Sequence, residues 1–267
     1  MAEKRRADQL LVEQGLAESR AKAQALILAG LVSCAGRRVD KPGEQLAAGA
    51  AVTLKGRDHP WVSRGGVKLV HALEHFRISV GGKVALDIGA STGGFTDVLL
   101  SRGAKCVHAV DVGHGQLAWK LRQNPRVVVH ERLNARWLTR ENIPEPVDIV
   151  TCDASFIGLA TVLPAPLALV AEQAELVALV KPQFEAGREC VGKGGVVRDP
   201  AVQREVCERA AAWVAGQPGW AVVGIVESPI LGPEGNREFL LYGRRRFKSS
   251  PSGKYGTVEI DLPRTSS

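Results

Sequence analysis

The segment Val84-Ala85-Leu86-Asp87-Ile88 runs without a break into Gly89-Ala90-Ser91-Thr92-Gly93-Gly94-Phe95 and then into the helical pattern TDVLLSRG. A strand that is apolar on both faces must be covered on both faces, as in a parallel sheet flanked by helices. Strand, glycine-rich turn and helix in that order open a doubly wound α/β unit. Further strands are predicted at Cys106 to Val110, Val127 to His130, Val147 to Cys152, Leu176 to Val180, Ala221 to Glu227 and Phe239 to Tyr242, with helical segments between most of them, notably Pro200 to Ala215. The predicted fold class is therefore α/β, a Rossmann-like sheet that is mostly parallel.

The glycine turn restricts the ligand. Its spacing, Gly89 to Gly93-Gly94, is neither the G-x-G-x-x-G of dinucleotide sites nor a phosphate-cradling loop ending in G-K-[ST]. Asp87 immediately before it would repel a pyrophosphate and suits a ligand carrying an ammonium and a sulfonium, such as S-adenosylmethionine. Asp111, at the end of the second strand, stands where an acid holds ribose hydroxyls. The alternative is a turn that only caps a helix.

A smaller module comes first. Residues 6 to 14 place Leu10, Leu11 and Gln14 at helical spacing before Gly15. Ser19 is a fitting N-cap for a second helix that Gly30 ends, with Ala23, Leu26 and Ile27 as one stripe. Arg20 and Lys22 in its first turn oppose the helix dipole, so an anionic ligand explains them better than local stability does. A short strand pair, LVSCAG and AVTLKG, follows. The set Arg6, Asp8, Leu10, Leu11, Gly15, Ser19, Arg20, Ala23, Leu26, Ile27, Gly30 and Val32 resembles, in identity and spacing, the RNA-binding domain named after ribosomal protein S4. The resemblance implies two helices presenting Arg6, Arg20 and Lys41 to structured RNA; the alternative is a solvated basic face.

Asp153 closes the predicted fourth strand and Lys181 the fifth, so both stand at the carboxyl edge where doubly wound folds bind ligands. Lys68 begins the domain's first helix and Glu238 precedes its last strand. Two unrelated ion pairs would give the same residues. Their order, Lys68, Asp153, Lys181, Glu238, resembles the K-D-K-E tetrad of the FtsJ-like ribose 2′-O-methyltransferases. Adding Ser63-Arg64-Gly65-x-x-Lys68-Leu69, Asp87 to Thr96, Val110 to Leu117 and Lys181-Pro182-Gln183-Phe184-Glu185, the chain to about Phe247 is similar to the TlyA family, whose members are often called hemolysins.

The resemblance implies an enzyme that transfers a methyl group from S-adenosylmethionine to the ribose 2′-oxygen of cytidine in ribosomal RNA. Lys181 is then the expected general base, with burial and the neighbouring Lys68 lowering its proton affinity. Asp153 would orient it, and Glu238 with Lys68 would set its charge state. Expected cofactor contacts are Asp87, Gly89, Ser91, Gly93, Gly94, Phe95 and Asp111, with Asn134 at the adenine edge. Arg64, Arg136 and Arg188, with Lys193 beside it, are expected to meet RNA, the last two from a loop that closes over it. Two departures stand out: His114 replaces an expected tyrosine, and the linker begins His59-Pro60. Competing readings are methylation of a transfer RNA or of a base atom, a non-catalytic ribosome-assembly factor, and a membrane-active cytolysin.

Composition supports this class. The charge is +7, from 35 Lys and Arg against 28 Asp and Glu, which favours a polyanionic partner such as ribosomal RNA or a ribosomal subunit. The 5 cysteines are far apart with no C-x-x-C pair, which argues against a disulfide scaffold or a metal site and for a reduced, cytoplasmic setting. No apolar segment follows the basic start, and the uncharged run Ala154 to Ala171 is broken by Pro164 and Pro166, so a loop and packed helix are expected there rather than a membrane span. The expected organisation is an S4-like domain over 1–60, a linker over 61–64, a methyltransferase domain over 65–247, and a tail over 248–267 without fixed structure. The oligomeric state is not legible.

Overall fold

The computed structural model describes residues 3–17, 19–54, 59–232, 235–246 and 259–261. The first module contains β1 (Lys4–Arg6), α1 (Ala7–Glu13), α2 (Arg20–Leu28), β2 (Val32–Cys34), β3 (Arg37–Arg38), β4 (Gln45–Ala47) and β5 (Val52–Leu54). Ser19 caps α2 as expected, its hydroxyl accepting from the Lys22 amide at 3.2 Å. The expected strand pair is β2 with β5, antiparallel with Val32 opposite Leu54. Two further pairings, β1 with β4 and β2 with β3, were not foreseen. Leu10, Leu11, Ala23, Ile27, Val32, Val39, Leu46 and Val52 form the module's own core.

The second unit runs α3 (Gly65–His75), β6 (Val84–Ile88), α4 (Gly94–Ser101), β7 (Cys106–Val110), α5 (Trp119–Arg122), β8 (Val127–His130), β9 (Val147–Cys152), α6 (Leu159–Val162), α7 (Pro164–Ala168), β10 (Val170–Val180), α8 (Pro182–Glu185), α9 (Pro200–Ala215), β11 (Trp220–Glu227), β12 (Phe239–Arg245) and β13 (Glu259–Asp261). They build one eight-stranded sheet in the order β13-β11-β12-β10-β9-β6-β7-β8. Strands β8, β7, β6, β9 and β10 are parallel to one another. β12 is antiparallel to both β10 and β11. The stretch from Ser228 to Glu238 is too short for a parallel crossover, so the chain reverses.

Strand alternation divides the core. Leu86, Ile88, Val150 and Cys152 face one side, packed by α6, α7 and α9. Ala85, Val107, Ile149, Val177 and Leu179 face the other, covered by α3, α4 and α5. The run Ala154 to Ala171 forms two short helices and enters β10; among the described residues no helix is long and apolar enough to cross a membrane. The expected structureless tail needs correction at Glu259–Asp261, which pair in parallel with β11; the rest of 248–267 lies outside the described residues.

The two units touch. Val62 is buried, and its amide donates to the Asp97 carboxylate at 3.0 Å. Trp61 packs on Gly66 and against the core beneath α3 and α4. Gly15 meets Ala118 and Val62 so closely that a methyl group there would lie 2.6 Å from the Ala118 Cβ.

Candidate active site

Chain order fixes where the crevice forms. From β6 the sheet grows toward β7 and β8, and then switches sides to β9 and β10. Loops leaving β6 and β9 diverge at that switch point, and ligands of doubly wound folds bind there. A cavity of about 750 Å³ opens at this place. Its walls include Gly89, Phe95, Asp153 and Lys181, and Leu16, Lys22 and Leu26 of the first module form part of the lining.

All four tetrad residues line this cavity. Lys181 Nζ lies 2.7 Å from Asp153 Oδ1, 3.1 Å from the Asp153 carbonyl and 2.9 Å from Ser155 Oγ. Three acceptors therefore hold the amine, as many as an ammonium can satisfy. Lys68 Nζ donates to Glu238 Oε2 at 2.6 Å, and the glutamate side chain is fully buried. Two ion pairs thus stand on one cavity, one at its wall and one at its floor. Gln183 joins them: it follows Lys181 in the chain and its Nε2 reaches Glu238 Oε1 at 3.4 Å, while its buried Oε1 has no hydrogen-bond partner.

The glycines are there for space. Gly89 has φ +76°, and a Cβ on it would fall 2.9 Å from the Ala154 backbone. Gly94 starts α4 where α3 also starts, and a Cβ would meet Ser63 Oγ at 2.2 Å. The missing side chains let the β6 turn pack directly on the Ala154 backbone and the start of α4 on the start of α3, which brings these segments together around the cavity.

Of the expected cofactor residues, Gly89, Ser91, Gly94 and Phe95 line the cavity. Asp87 does not. It is fully buried between Thr96 Oγ1 at 2.7 Å and Thr151 Oγ1 at 2.9 Å, and burial pushes its carboxyl up to about 6 against those hydrogen bonds. It organises the strand end from behind. Gly93 is the left-handed N-cap of α4 and packs on Leu117 and Leu121, outside the lining. Asp111 and Asn134 lie farther along the same carboxyl edge. Asp111 accepts from the Ser91 amide at 2.8 Å and the Gly113 amide at 2.7 Å. Asn134 accepts from the Arg136 amide at 3.1 Å and caps a short turn, Ala135–Trp137. His114, at the departure noted above, is exposed, 3.9 Å from Glu131.

Arg6 and Arg20 converge on one acid. Asp8 is fully buried, accepting from Arg6 at 2.9 and 3.0 Å, from Arg20 at 3.2 Å and from Gln24 at 3.0 Å. The Arg6 hydrogen bond holds the Asp8 carboxyl well below the usual range. Both guanidinium groups stay about half exposed, so Asp8 orients them without hiding them. Lys41 is exposed, between β3 and β4. Arg64 is exposed and lines the cavity; Arg136 is exposed beside Trp137, outside it. Lys193 occupies an exposed turn closed by Gly192 and Val196, and the backbone of Arg188 lies in the turn before it.

Sequence reasoning missed Ser155, Phe156, Gln183 and the placement of Lys22 on the cavity. Phe156 is 89% exposed, has φ +64° and packs against Phe184 in a tilted arrangement, ring centres 4.9 Å apart. A bulky residue held in the left-handed region is strained, and such strain concentrates at working sites.

Residues 61–245 match the FtsJ-like methyltransferase family and residues 5–52 the S4 domain. The chain is 51% identical over 256 residues to the 16S/23S rRNA (cytidine-2′-O)-methyltransferase TlyA of Mycobacterium tuberculosis, covering 95% of each. It is 40% identical over 238 residues to Hemolysin A of Brachyspira hyodysenteriae, covering 89% of this chain and 98% of that one. A solved structure bearing a hemolysin name, from Streptococcus thermophilus, aligns with a TM-score of 0.71 at 43% identity, covering 98% of this chain and 93% of that one.

Proposed function

The chain belongs to the TlyA family of FtsJ-like methyltransferases, and on that premise we propose that it methylates the ribose 2′-oxygen of cytidine in ribosomal RNA, using S-adenosylmethionine, in the cytoplasm where ribosomes are built. The observation that carries this reading is the Lys181–Asp153 pair at the sheet's switch point, in a cavity that the RNA-binding module helps to line. The site fits the cofactor. Gly89, Ser91, Gly94 and Phe95 line the crevice, and Asp111 keeps free lone pairs for a ribose diol. S-adenosylmethionine supplies an electrophilic methyl group on a sulfonium sulfur.

The chain supplies position and proton transfer. Lys181 takes the proton of the 2′-hydroxyl as that oxygen attacks, after the ammonium held by its three acceptors has given up a proton and freed a lone pair. Asp153 and Ser155 hold Nζ in place, which is worth more than its basicity if hydroxyl and methyl are to meet in line. Lys68 and Glu238 neutralise each other beneath the site, so the floor carries no net charge. Phe156 offers an aromatic face at the mouth, suited to a base unstacked from its helix. Arg6, Arg20, Lys22, Lys41 and Arg64 give the RNA phosphates a basic track toward it.

The test is methyl transfer from labelled S-adenosylmethionine to isolated small and large ribosomal subunits, with Lys181→Ala in parallel and mapping of the modified nucleotide. Label on a cytidine 2′-oxygen, reduced 10²-fold or more in the variant, supports the reading. Cofactor binding without label on either subunit overturns the ribosomal substrate. Label on a base atom overturns the ribose chemistry.

A further inference from the structure

A second cluster of chemically able side chains sits at the far end of the sheet, away from the cavity. Cys106 and His108 are two apart on β7, so they project from the same face of the strand. Glu145 reaches them from the loop before β9, and Arg140 anchors that loop by donating to the Glu145 carbonyl at 3.0 Å. The thiol sulfur, one imidazole nitrogen and one carboxylate oxygen all lie within 4.8 Å of one another. His108 is nearly fully buried, and its Nε2 is 3.0 Å from Glu145 Oε1. Its Nδ1 is 3.0 Å from Nε2 of His130 on β8, the edge strand.

We propose that Cys106, His108 and Glu145 bind a divalent transition metal, with zinc as the best match. The donor set is one sulfur, one imidazole nitrogen and one carboxylate oxygen, which suits a borderline-soft cation and not magnesium or calcium. Around tetrahedral zinc such donors stand about 3.5 Å apart, so a small side-chain rotation closes the cluster. Thiolate and carboxylate together neutralise the ion, and three protein ligands leave a fourth position for water.

His130 completes the arrangement as the group that orients the ligand. With Nε2 of His108 on the metal, Nδ1–H donates to His130, which must be neutral to accept. Metal binding requires the Cys106 thiolate, so it releases the thiol proton. Cys106 and Glu145 are both partly exposed, which leaves an entry path. The sequence expectation of no metal rested on the absence of paired cysteines. This set comes from alternate strand residues and a distant loop, a pattern that no linear motif records.

The experiment is titration of the purified full chain with Co²⁺ alone, read by thiolate-to-metal charge-transfer absorption, followed by displacement with Zn²⁺. The expected result is a single-site band in the wild type, retained in a Cys34→Ser, Cys190→Ser double variant and lost in Cys106→Ser. Glu145→Gln, a partly exposed position that should not disturb folding, and His130→Gln should each weaken zinc binding by about 10- to 100-fold. No band in the folded wild type, or a band that survives Cys106→Ser, overturns the proposal. The readout does not involve methyl transfer, so it stands or falls separately from the proposed activity.

Discussion

Replacing Asp87 by Asn tests the energetic reading of the strand end. The carboxyl is fully buried and pushed up to about 6, against an ordinary value near ~3.9 in an unfolded chain. The native form therefore binds its proton more tightly than the unfolded form does. Its contribution is most favourable below pH ~4 and is lost as pH rises through about 6. The gap corresponds to ~3 kcal/mol of stability forgone at neutral pH. Asparagine has the same shape, and the rotatable hydroxyls of Thr96 and Thr151 can accept from its NH₂ or donate to its oxygen. Urea unfolding of both proteins at pH 4, 5, 6 and 7 isolates the effect, because titrating groups that do not interact with Asp87, Asp8 among them, cancel in the difference. The variant should gain on the wild type by ~2 kcal/mol between pH 4 and 7. A difference that stays flat, or that changes in the opposite sense, refutes the argument that burial outweighs the two hydrogen bonds.

Other perturbations have equally definite outcomes. Glu238→Gln leaves the Lys68 ammonium buried without its partner and should cost about 3–5 kcal/mol in chemical denaturation. A Lys68→Met, Glu238→Leu double variant should regain most of that stability without regaining methyl transfer. Gly89→Ala places a methyl group 2.9 Å from the Ala154 backbone at φ +76°, so stability should fall by ~1–3 kcal/mol and cofactor affinity with it, measured by calorimetry. Asp8→Asn frees Arg6 and Arg20 from their shared anchor and should weaken RNA binding in a filter assay while cofactor binding is unchanged.

The fold was legible because its signals are local: an apolar strand, a bare turn, a helix, repeated. The tetrad was legible because topology brings strand ends to one edge, so chain order alone assembles Lys181 with Asp153. That Asp87 stands behind the cavity lining was not legible, because an acid at a strand end looks the same whether it faces ligand or core. Alternation offered a clue, since Leu86 and Ile88 point to one face and Asp87 to the other, and both faces of this strand are buried. Ser155 and Phe156 were passed over because a Ser and a Phe in a loop carry no spacing signal. Their roles come from the turn's geometry, which places one hydroxyl on Lys181 and one ring in solvent. Asp8 was read as part of a motif and not as its organiser, for its partners come from two different helices or their borders. The reversal at β12 and the pairing of β13 depend on what the neighbouring strands leave open, which no single segment encodes.

The close fit of Gly15 against Ala118 and Val62 makes the protein a ruler. On the proposed mechanism, that contact holds the RNA-binding helices at a set distance from Lys181, and the span from gripped helix to methylated nucleotide follows from it. A target is then chosen by how far it lies from a structured RNA element, and two sites of unrelated sequence qualify when they share that distance. Lengthening the chain between His59 and Arg64 would change the scale of the ruler before it changed the chemistry at its end.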